Sequence, residues 1–250
     1  MNKVSDIFDF LCRLAPLQLQ MSFDNSGLLL GKKDSVVDKV LLALDVTDAV
    51  VDEAIEIGAQ LIISHHPLIF SPIKSLTDER LLKLIEHSIA VISMHTNLDI
   101  APGGVNDVLM AVLGAKTIDV LDEHGCGRVG FLEKEKSIDE FLIECKNALG
   151  CNGIRYFSAG RSVKNLAVMG GSGADELETA FAKGCDTYVT ADIKYHQFLR
   201  ASELGINLID ADHFCTENPI IPVLKKALEK QFMDIKFLVS EKHQQIIKFI

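Results

Sequence analysis

The sequence predicts an α/β fold made of two interlinked α/β domains, with mixed or parallel sheets and helices packed on the sheets. Segments with apolar residues at three- and four-residue spacing alternate with short apolar runs rich in Val, Ile and Leu, the pattern of helices that alternate with strands. The 250 residues suit one large domain or two ordinary ones. A content of 48% hydrophobic and 24% charged residues is typical of a globular chain with a sizeable core.

The individual elements follow from this periodicity. Helical spacing predicts helices over 5–15, 47–58, 78–88, 104–114, 137–149, 174–184, 194–204 and 219–232. Short apolar runs predict strands over 27–31, 38–46, 60–65, 90–95, 127–132, 154–158, 165–170, 187–191, 206–211, 235–240 and 246–250. Strands that alternate with helices are the signature of an α/β protein.

A short polar stretch with glycines, DEHGCGRVG at 122–130, is the best candidate for a domain boundary. We therefore predict a metal-binding α/β domain over 1–123 plus 206–250 and a second α/β domain over 124–205. Two sequential domains fit the same pattern, and no internal repeat chooses between the two arrangements.

Composition excludes several classes of protein. A net charge of −10 without a basic stripe argues against nucleic acid as a partner. No uncharged stretch approaches the roughly 18 residues of a spanning helix, so we expect no membrane partner, and Asp6, Asp9 and Arg13 argue against a secretory signal. The 6 cysteines form no CxxC pair, which favours reduced thiols and a cytoplasmic location.

Side chains that bind metals gather where three predicted strands end. The segments are SHHP, HTNLD and DADHFCTE. Because the carboxyl ends of strands form the ligand crevice of open α/β sheets, we expect these segments to converge. The candidate metal ligands are His65, His66, Asp99, His213 and Glu217.

The donor types limit the metal. Imidazole and carboxylate without an obligatory thiolate suit Zn, Fe, Mn, Co or Ni and suit a calcium cage poorly. Because a single zinc takes about three protein ligands, five candidates favour two metals that share a bridging carboxylate. His213 and Glu217 are four residues apart and share a face if a helix has begun there, although Asn218 and Pro219 also resemble a helix start.

Other polar residues near these segments allow more than one interpretation. His95 is the candidate catalytic acid–base residue, but it also fits a further ligand, a hydrogen-bond partner of a ligand or a core histidine. Asp192 and His196 fit the site or an ordinary helix start. The stretch VMGGSG fits a tight turn better than a phosphate cradle, since it lacks the lysine of a P-loop.

Taken together, the segments FDNSGLLLG, SHHPLIF, HTNLDIAPGGVND, VMGGSG, TADIKYH and DADHFCTE resemble the GTP cyclohydrolase 1 type 2 homolog family, also called the NGG-interacting-factor-three-like family. The resemblance covers essentially the whole chain. It implies two divalent metal ions per subunit bound by the five candidate ligands, two linked α/β domains, and a toroidal homohexamer with the metal sites facing its interior.

The resemblance also sets expectations for length and function. It implies the short form of the family, without the domain that longer members insert in mid-chain. Two departures are Phe23, where the family often has tryptophan, and Asp212, where glycine is usual. We expect a metal-dependent hydrolase that acts on a nucleotide as a GTP cyclohydrolase does, with metal-activated water as the nucleophile. The alternative is a non-catalytic metal-binding regulatory or adaptor protein.

Overall fold

The computed structural model describes residues 1–250 and confirms the α/β fold class, with two mixed sheets. The chain divides into two compact units. The first unit contains Met1–Ala101 and Ile221–Gln244, and the second contains Pro102–Ile220 and Gln245–Ile250.

Eight of the ten helices fall close to the predicted segments, and the two that have only five residues were not predicted. They are α1 (Val4–Leu14), α2 (Asp48–Glu56), α3 (Glu79–Glu86), α4 (Thr96–Ile100), α5 (Val105–Val112), α6 (Ile138–Leu149), α7 (Leu177–Ala182), α8 (Tyr195–Leu204), α9 (His213–Glu217) and α10 (Ile220–Gln231). None of them has both the length and the apolar composition that crossing a membrane requires.

The strands are three to nine residues long. They are β1 (Gly27–Leu30), β2 (Lys39–Ala43), β3 (Leu61–Ser64), β4 (Ala90–Ser93), β5 (Ala115–Val120), β6 (Arg128–Lys136), β7 (Arg155–Phe157), β8 (Val163–Val168), β9 (Thr187–Thr190), β10 (Asn207–Asp210) and β11 (Lys236–Val239).

The sheet of the first unit has the order β1-β4-β3-β2-β11. β4, β3, β2 and β11 are parallel, and β1 pairs antiparallel with β4 at the edge. Residues of α2 and α3, such as Val50 and Leu84, share one core cluster with Ile62 and Val91 of the central strands. Because β3 and β4 are parallel neighbours, the loops that follow them leave the sheet at the same edge.

The sheet of the second unit has the order β5-β6-β8-β9-β10-β7. Its centre, β8-β9-β10, is parallel, while β5, β6 and β7 pair antiparallel. Successive residues of a strand enter different core clusters, for example Tyr188 and Val189 or Leu208 and Ile209. Both faces of this sheet are therefore covered, which explains why its strands read as continuous apolar runs.

The structure differs from the sequence expectation in a few elements. Helices α4 and α9 have only five residues each, too few to show a helical period. Strand β5 was missed because all but its first residue are exposed and it contains no apolar run. The expected strand over 246–250 is not formed, and all five of its residues are exposed.

The division into units also lies elsewhere than the sequence analysis places it. The stretch 122–130 connects β5 and begins β6, which pair with each other, so it is a hairpin connection inside the second unit. Strand β10 joins β9 in the second sheet, so the return to the first unit comes at Ile221 and not at residue 206.

Candidate metal centre

The first unit brings three histidines together at the carboxyl end of its sheet. Ser64 of β3 lies opposite Ser93 of β4, so His65 and His66 leave the sheet beside His95. The ring centroids are 5.0 Å apart for His65 and His66, 5.2 Å for His65 and His95, and 5.6 Å for His66 and His95. Each ring offers a nitrogen within 4.8 Å of the others, a spacing that suits a shared metal ion.

The end of strand β3 explains how two adjacent histidines serve one site. The strand ends at Ser64, whose hydroxyl donates to the carbonyl of His66 at 2.8 Å, and the His66 amide donates to the carbonyl of Leu44 at 2.9 Å. This turn breaks the alternation that would send successive side chains to opposite faces.

All three rings are held through the same nitrogen. Each Nδ1 lies within 2.7–2.8 Å of an oxygen acceptor. Because a carbonyl or an ionised carboxylate accepts only, Nδ1 carries the hydrogen, and in the neutral ring Nε2 presents its lone pair. Hydrogen bonds of this kind orient metal-ligating histidines in proteins. The acceptors are the Met94 carbonyl for His65, Asp45 for His66 and Asp24 for His95.

Asp24 is a functional residue that the sequence analysis missed. Its buried carboxylate accepts from the backbone amide of Asn25 at 2.7 Å, the Ser26 hydroxyl at 2.9 Å and the Thr96 amide at 3.0 Å, besides the His95 ring. Burial acts to raise the pKa of Asp24, but the hydrogen bonds from His95 and Thr96 outweigh it and hold the pKa well below its usual range. Asp24 is therefore a fixed negative charge behind His95.

Asp99 lies on the short helix that begins directly after His95. Its backbone amide donates to the His95 carbonyl at 3.1 Å, and its Oδ1 lies 3.6 Å from Nε2 of His65. The first unit thus places one carboxylate and three imidazoles at a single edge of its sheet. His243, in contrast, accepts the Leu44 amide at Nδ1 and is half-buried.

The second unit places His213 and Glu217 on one face of α9. The helix has begun at His213, so the two residues lie one turn apart, with His213 Nε2 3.1 Å from Glu217 Oε2. Asn218 ends α9, and α10 follows at Ile220. Cys215 is buried in the core of the unit, as expected for a residue on the opposite face.

His213 is oriented in the same way as the histidines of the first unit. Its Nδ1 lies 2.7 Å from Oδ2 of Asp192, which again leaves Nε2 as the metal-binding atom. Of the Asp192 and His196 pair, only Asp192 lies at this site, while His196 is exposed on α8. Asp192, which accepts the His213 hydrogen bond, has a φ of +55°, and Asp212, which directly precedes His213, has a φ of +68°. The backbone is therefore strained at both residues.

The glycine-rich turn after β8 supports Glu217 and does not form an anion cradle. Three of its amides donate to side-chain oxygens of the protein at distances of 2.9–3.0 Å. The pairs are Gly170 with Asn106, Gly171 with Thr216, and Gly173 with Thr190. Gly171 has φ +64°, and a Cβ there would lie 2.2 Å from Oε1 of Glu217 and 3.1 Å from Nε2 of His213. The absence of a side chain at Gly171 leaves the space that these two groups occupy.

The donor chemistry of each unit fits a divalent transition metal. Neutral imidazole nitrogens with carboxylate oxygens, and no thiolate, match Zn, Fe, Mn, Co or Ni. Both units also supply the hydrogen-bond acceptors that hold such imidazoles in the metal-binding tautomer.

Comparisons with known proteins show which family the chain belongs to. A sequence model of the Duf34/NIF3 (NGG1p interacting factor 3) family matches residues 2–246. The "GTP cyclohydrolase 1 type 2 homolog" of Clostridium perfringens is 37% identical over 261 positions, which cover 99% of this chain and 100% of that protein. The "GTP cyclohydrolase 1 type 2" of Helicobacter pylori is 37% identical, with 91% of this chain and 92% of that protein covered. The crystal structure of Staphylococcus aureus hypothetical protein SA1388 superposes with a TM-score of 0.92 at 32% identity, covering 99% of both chains.

These matches extend along nearly the whole chain, and the Clostridium perfringens relative is of the same short length. The protein belongs to the Duf34/NIF3 (NGG1p interacting factor 3) family.

Proposed function

We propose that the protein is a metal-dependent hydrolase that acts on a nucleotide, with two divalent metal ions per subunit bound by His65, His66, Asp99, His213 and Glu217. The observation that carries the proposal is the uniform orientation of the histidines, each of which donates Nδ1–H to an oxygen and presents Nε2. The names of the relatives from Clostridium perfringens and Helicobacter pylori, which contain GTP cyclohydrolase 1 type 2, support a guanine nucleotide as the substrate.

The chemistry would be divided between the metals and His95. When bound, such metals lower the pKa of water from about 15.7 toward about 7 and so make hydroxide available at neutral pH. His95 accepts or returns a proton at Nε2, since Nδ1 is engaged with Asp24. The Asp24 carboxylate accepts the Nδ1 hydrogen and so fixes the tautomer and the orientation of the His95 ring, which makes Asp24 a positioning residue.

The test is turnover by metal-loaded protein. Protein loaded in turn with Zn, Mn, Fe, Co or Ni is incubated with GTP, and the purine absorbance is followed. We expect turnover with at least one metal and none after Glu217→Gln or His65→Ala. Failure with every metal, in protein shown by elemental analysis to hold about two ions per chain, would contradict the proposal.

A second variant separates the two roles open to His95. If His95 transfers protons, His95→Gln abolishes turnover and leaves the metal content unchanged. If His95 is a ligand, the metal content of the His95→Gln variant falls as it does in His65→Ala.

A second candidate function rests on the family name, which describes an interacting factor. In a metal-binding regulator, removal of metal would change assembly or partner binding while no catalytic activity is lost. Sedimentation of holo and apo protein tests this candidate and also the homohexamer, which stays a prediction. A cytoplasmic location likewise stays a prediction.

A further inference from the structure

Two phenylalanines stand exposed beside the histidines of the first unit. The side chains of Phe23 and Phe70 are 64% and 50% exposed. The Phe70 ring lies 6.3 Å from the His95 ring at an interplanar angle of 81°, and the Phe23 ring lies 6.4 Å from Phe70 at 49°. Single exposed apolar residues are common, but two adjacent aromatic rings at the edge of a catalytic site require an explanation.

The backbone on either side of these rings is held by the site itself. Asp24, the residue after Phe23, is the buried acceptor behind His95, and the Asn25 side chain donates to the carbonyl of Ile69 at 2.6 Å. The two loops are therefore tied to His95 and to each other directly next to the aromatic residues. Such anchoring fixes the backbone next to both rings before any ligand arrives.

We propose that Phe23 and Phe70 form a platform on which the planar base of the substrate stacks. The inference rests on the proposed function and specifies the part of the substrate that this surface binds. The rings contact each other at an incline, so their faces do not cover one another. Stacking on phenylalanine depends on a flat π surface and needs little hydrogen-bonding specificity, so purine bases fit this chemistry.

The position of the platform explains how it serves the reaction. A base stacked on Phe70 lies near His95, because the centroids of the Phe70 and His95 rings are only 6.3 Å apart. The base would thereby be held at the histidine cluster while the phosphates extend elsewhere. A base bound in this way loses little freedom at the reacting atom, which is the usual gain from substrate positioning.

The test measures the binding of a base without phosphates. Guanosine is titrated into metal-loaded protein, with inorganic triphosphate as a probe that has no ring. We expect Phe70→Leu to weaken guanosine binding about tenfold, Phe70→Tyr to retain it and triphosphate binding to stay unchanged, as the usual contribution of base stacking implies. Phe181→Leu is the matched control, because Phe181 is 40% exposed on α7 in the second unit.

The sequence provides a reporter for the same experiment. The chain has no tryptophan, so Phe23→Trp introduces a single indole at the platform. Stacked guanosine should quench the fluorescence of this indole in a saturable manner, with the dissociation constant found for the unaltered protein. Equal guanosine affinity in the unaltered protein and Phe70→Leu, or no guanosine binding at millimolar concentration, would overturn the platform.

Two further outcomes separate the platform from the proposed hydrolase function and from a contact between copies of the chain. If GTP is not turned over but guanosine binding still depends on Phe70, the proposed hydrolase function fails and the platform stands. If turnover proceeds while Phe70→Leu changes only the sedimentation of the protein, the two rings form a contact between copies of the chain, and the platform is refuted.

Discussion

Replacement of Gly171 by alanine tests whether the glycine-rich turn exists to make room for the metal ligands. A Cβ at this position would lie 2.2 Å from Oε1 of Glu217 and 3.1 Å from Nε2 of His213. Glu217 is buried, so its carboxylate has no open solvent into which it can swing. We expect Gly171→Ala to displace both ligand atoms.

The cost of the substitution has two parts. Gly171 has φ +64°, and an L-residue in the left-handed region costs about 1–2 kcal/mol of unfolding free energy. Gly150 isolates this part, because it has φ +67° at the end of α6 and its Cβ would contact nothing within 4 Å. Both alanine variants should therefore lose about 1–2 kcal/mol through the backbone. Only Gly171→Ala should also weaken zinc binding, by about 10–100-fold or more, the range found when the surroundings of a ligand are disturbed.

The assay pairs urea unfolding of apo protein with a zinc competition titration. The reasoning would be refuted if Gly171→Ala bound zinc as tightly as the unaltered protein. It would also be refuted if Gly150→Ala lost zinc affinity to the same extent, since the loss would then come from the backbone strain alone.

Three further substitutions follow from the same geometry. Asp192→Asn keeps a side chain that tolerates positive φ but exchanges the charged acceptor of His213 Nδ1–H for a neutral amide, so zinc affinity should fall about 10–100-fold in a competition titration. Unchanged affinity would contradict the role of Asp192. Asp212→Gly should raise the unfolding free energy by about 1 kcal/mol, because it relieves strain at φ +68° and glycine costs only a few tenths of a kcal/mol as an N-cap. A lower unfolding free energy in urea titration would contradict this. Asp107→Asn breaks the ion pair with the buried Arg128 and should lower the unfolding free energy at pH 7 by about 2 kcal/mol, less than the roughly 3–5 kcal/mol of a fully buried pair, because Asp107 is partly exposed. Burial acts to raise the pKa of Asp107, but hydrogen bonds from Arg128 and the Gly103 amide lower it overall. The ion pair therefore stabilises the fold fully above the unfolded pKa of about 3.9, and this stabilisation is lost as the pH falls through the lower pKa of the folded state. The difference between the variant and the unaltered protein should therefore shrink below about pH 4, and a constant difference in acid would contradict the assignment.

The sequence predicts those parts of the fold that depend on local pattern. Long helices such as α6 show their period and carry a capping box at Ser137 and Glu140, so their limits are found to within one or two residues. The strand ends that carry His65 and His213 are visible because an apolar run stops at polar residues. Strand β5 and the five-residue helices escape detection because neither a period nor an apolar run marks them.

The residues that orient the histidines could not be predicted in the same way. Asp24 lies 71 residues from His95 in the sequence, and Asp45 lies 21 residues from His66, so no local spacing connects the members of either pair. The only sequence signal near Asp24 is the segment FDNSGLLLG, which contributes to the family resemblance but does not connect Asp24 with His95.

The energetics of Asp24 indicate why such a residue is present. A buried carboxylate loses hydration that an uncharged turn residue would not need, and here five neighbouring groups donate hydrogen bonds that keep it ionised. A turn required only for folding has no need of a buried charge. The positive φ angles of Asp192 and Asp212 beside His213 show the same preference in the second unit, since glycine would relieve the strain at either position. In the second unit the chain accepts backbone strain next to a histidine, and in the first it surrounds a buried charge beside a histidine with hydrogen-bond donors. This is the pattern expected where a ring must be held for chemistry and not for packing.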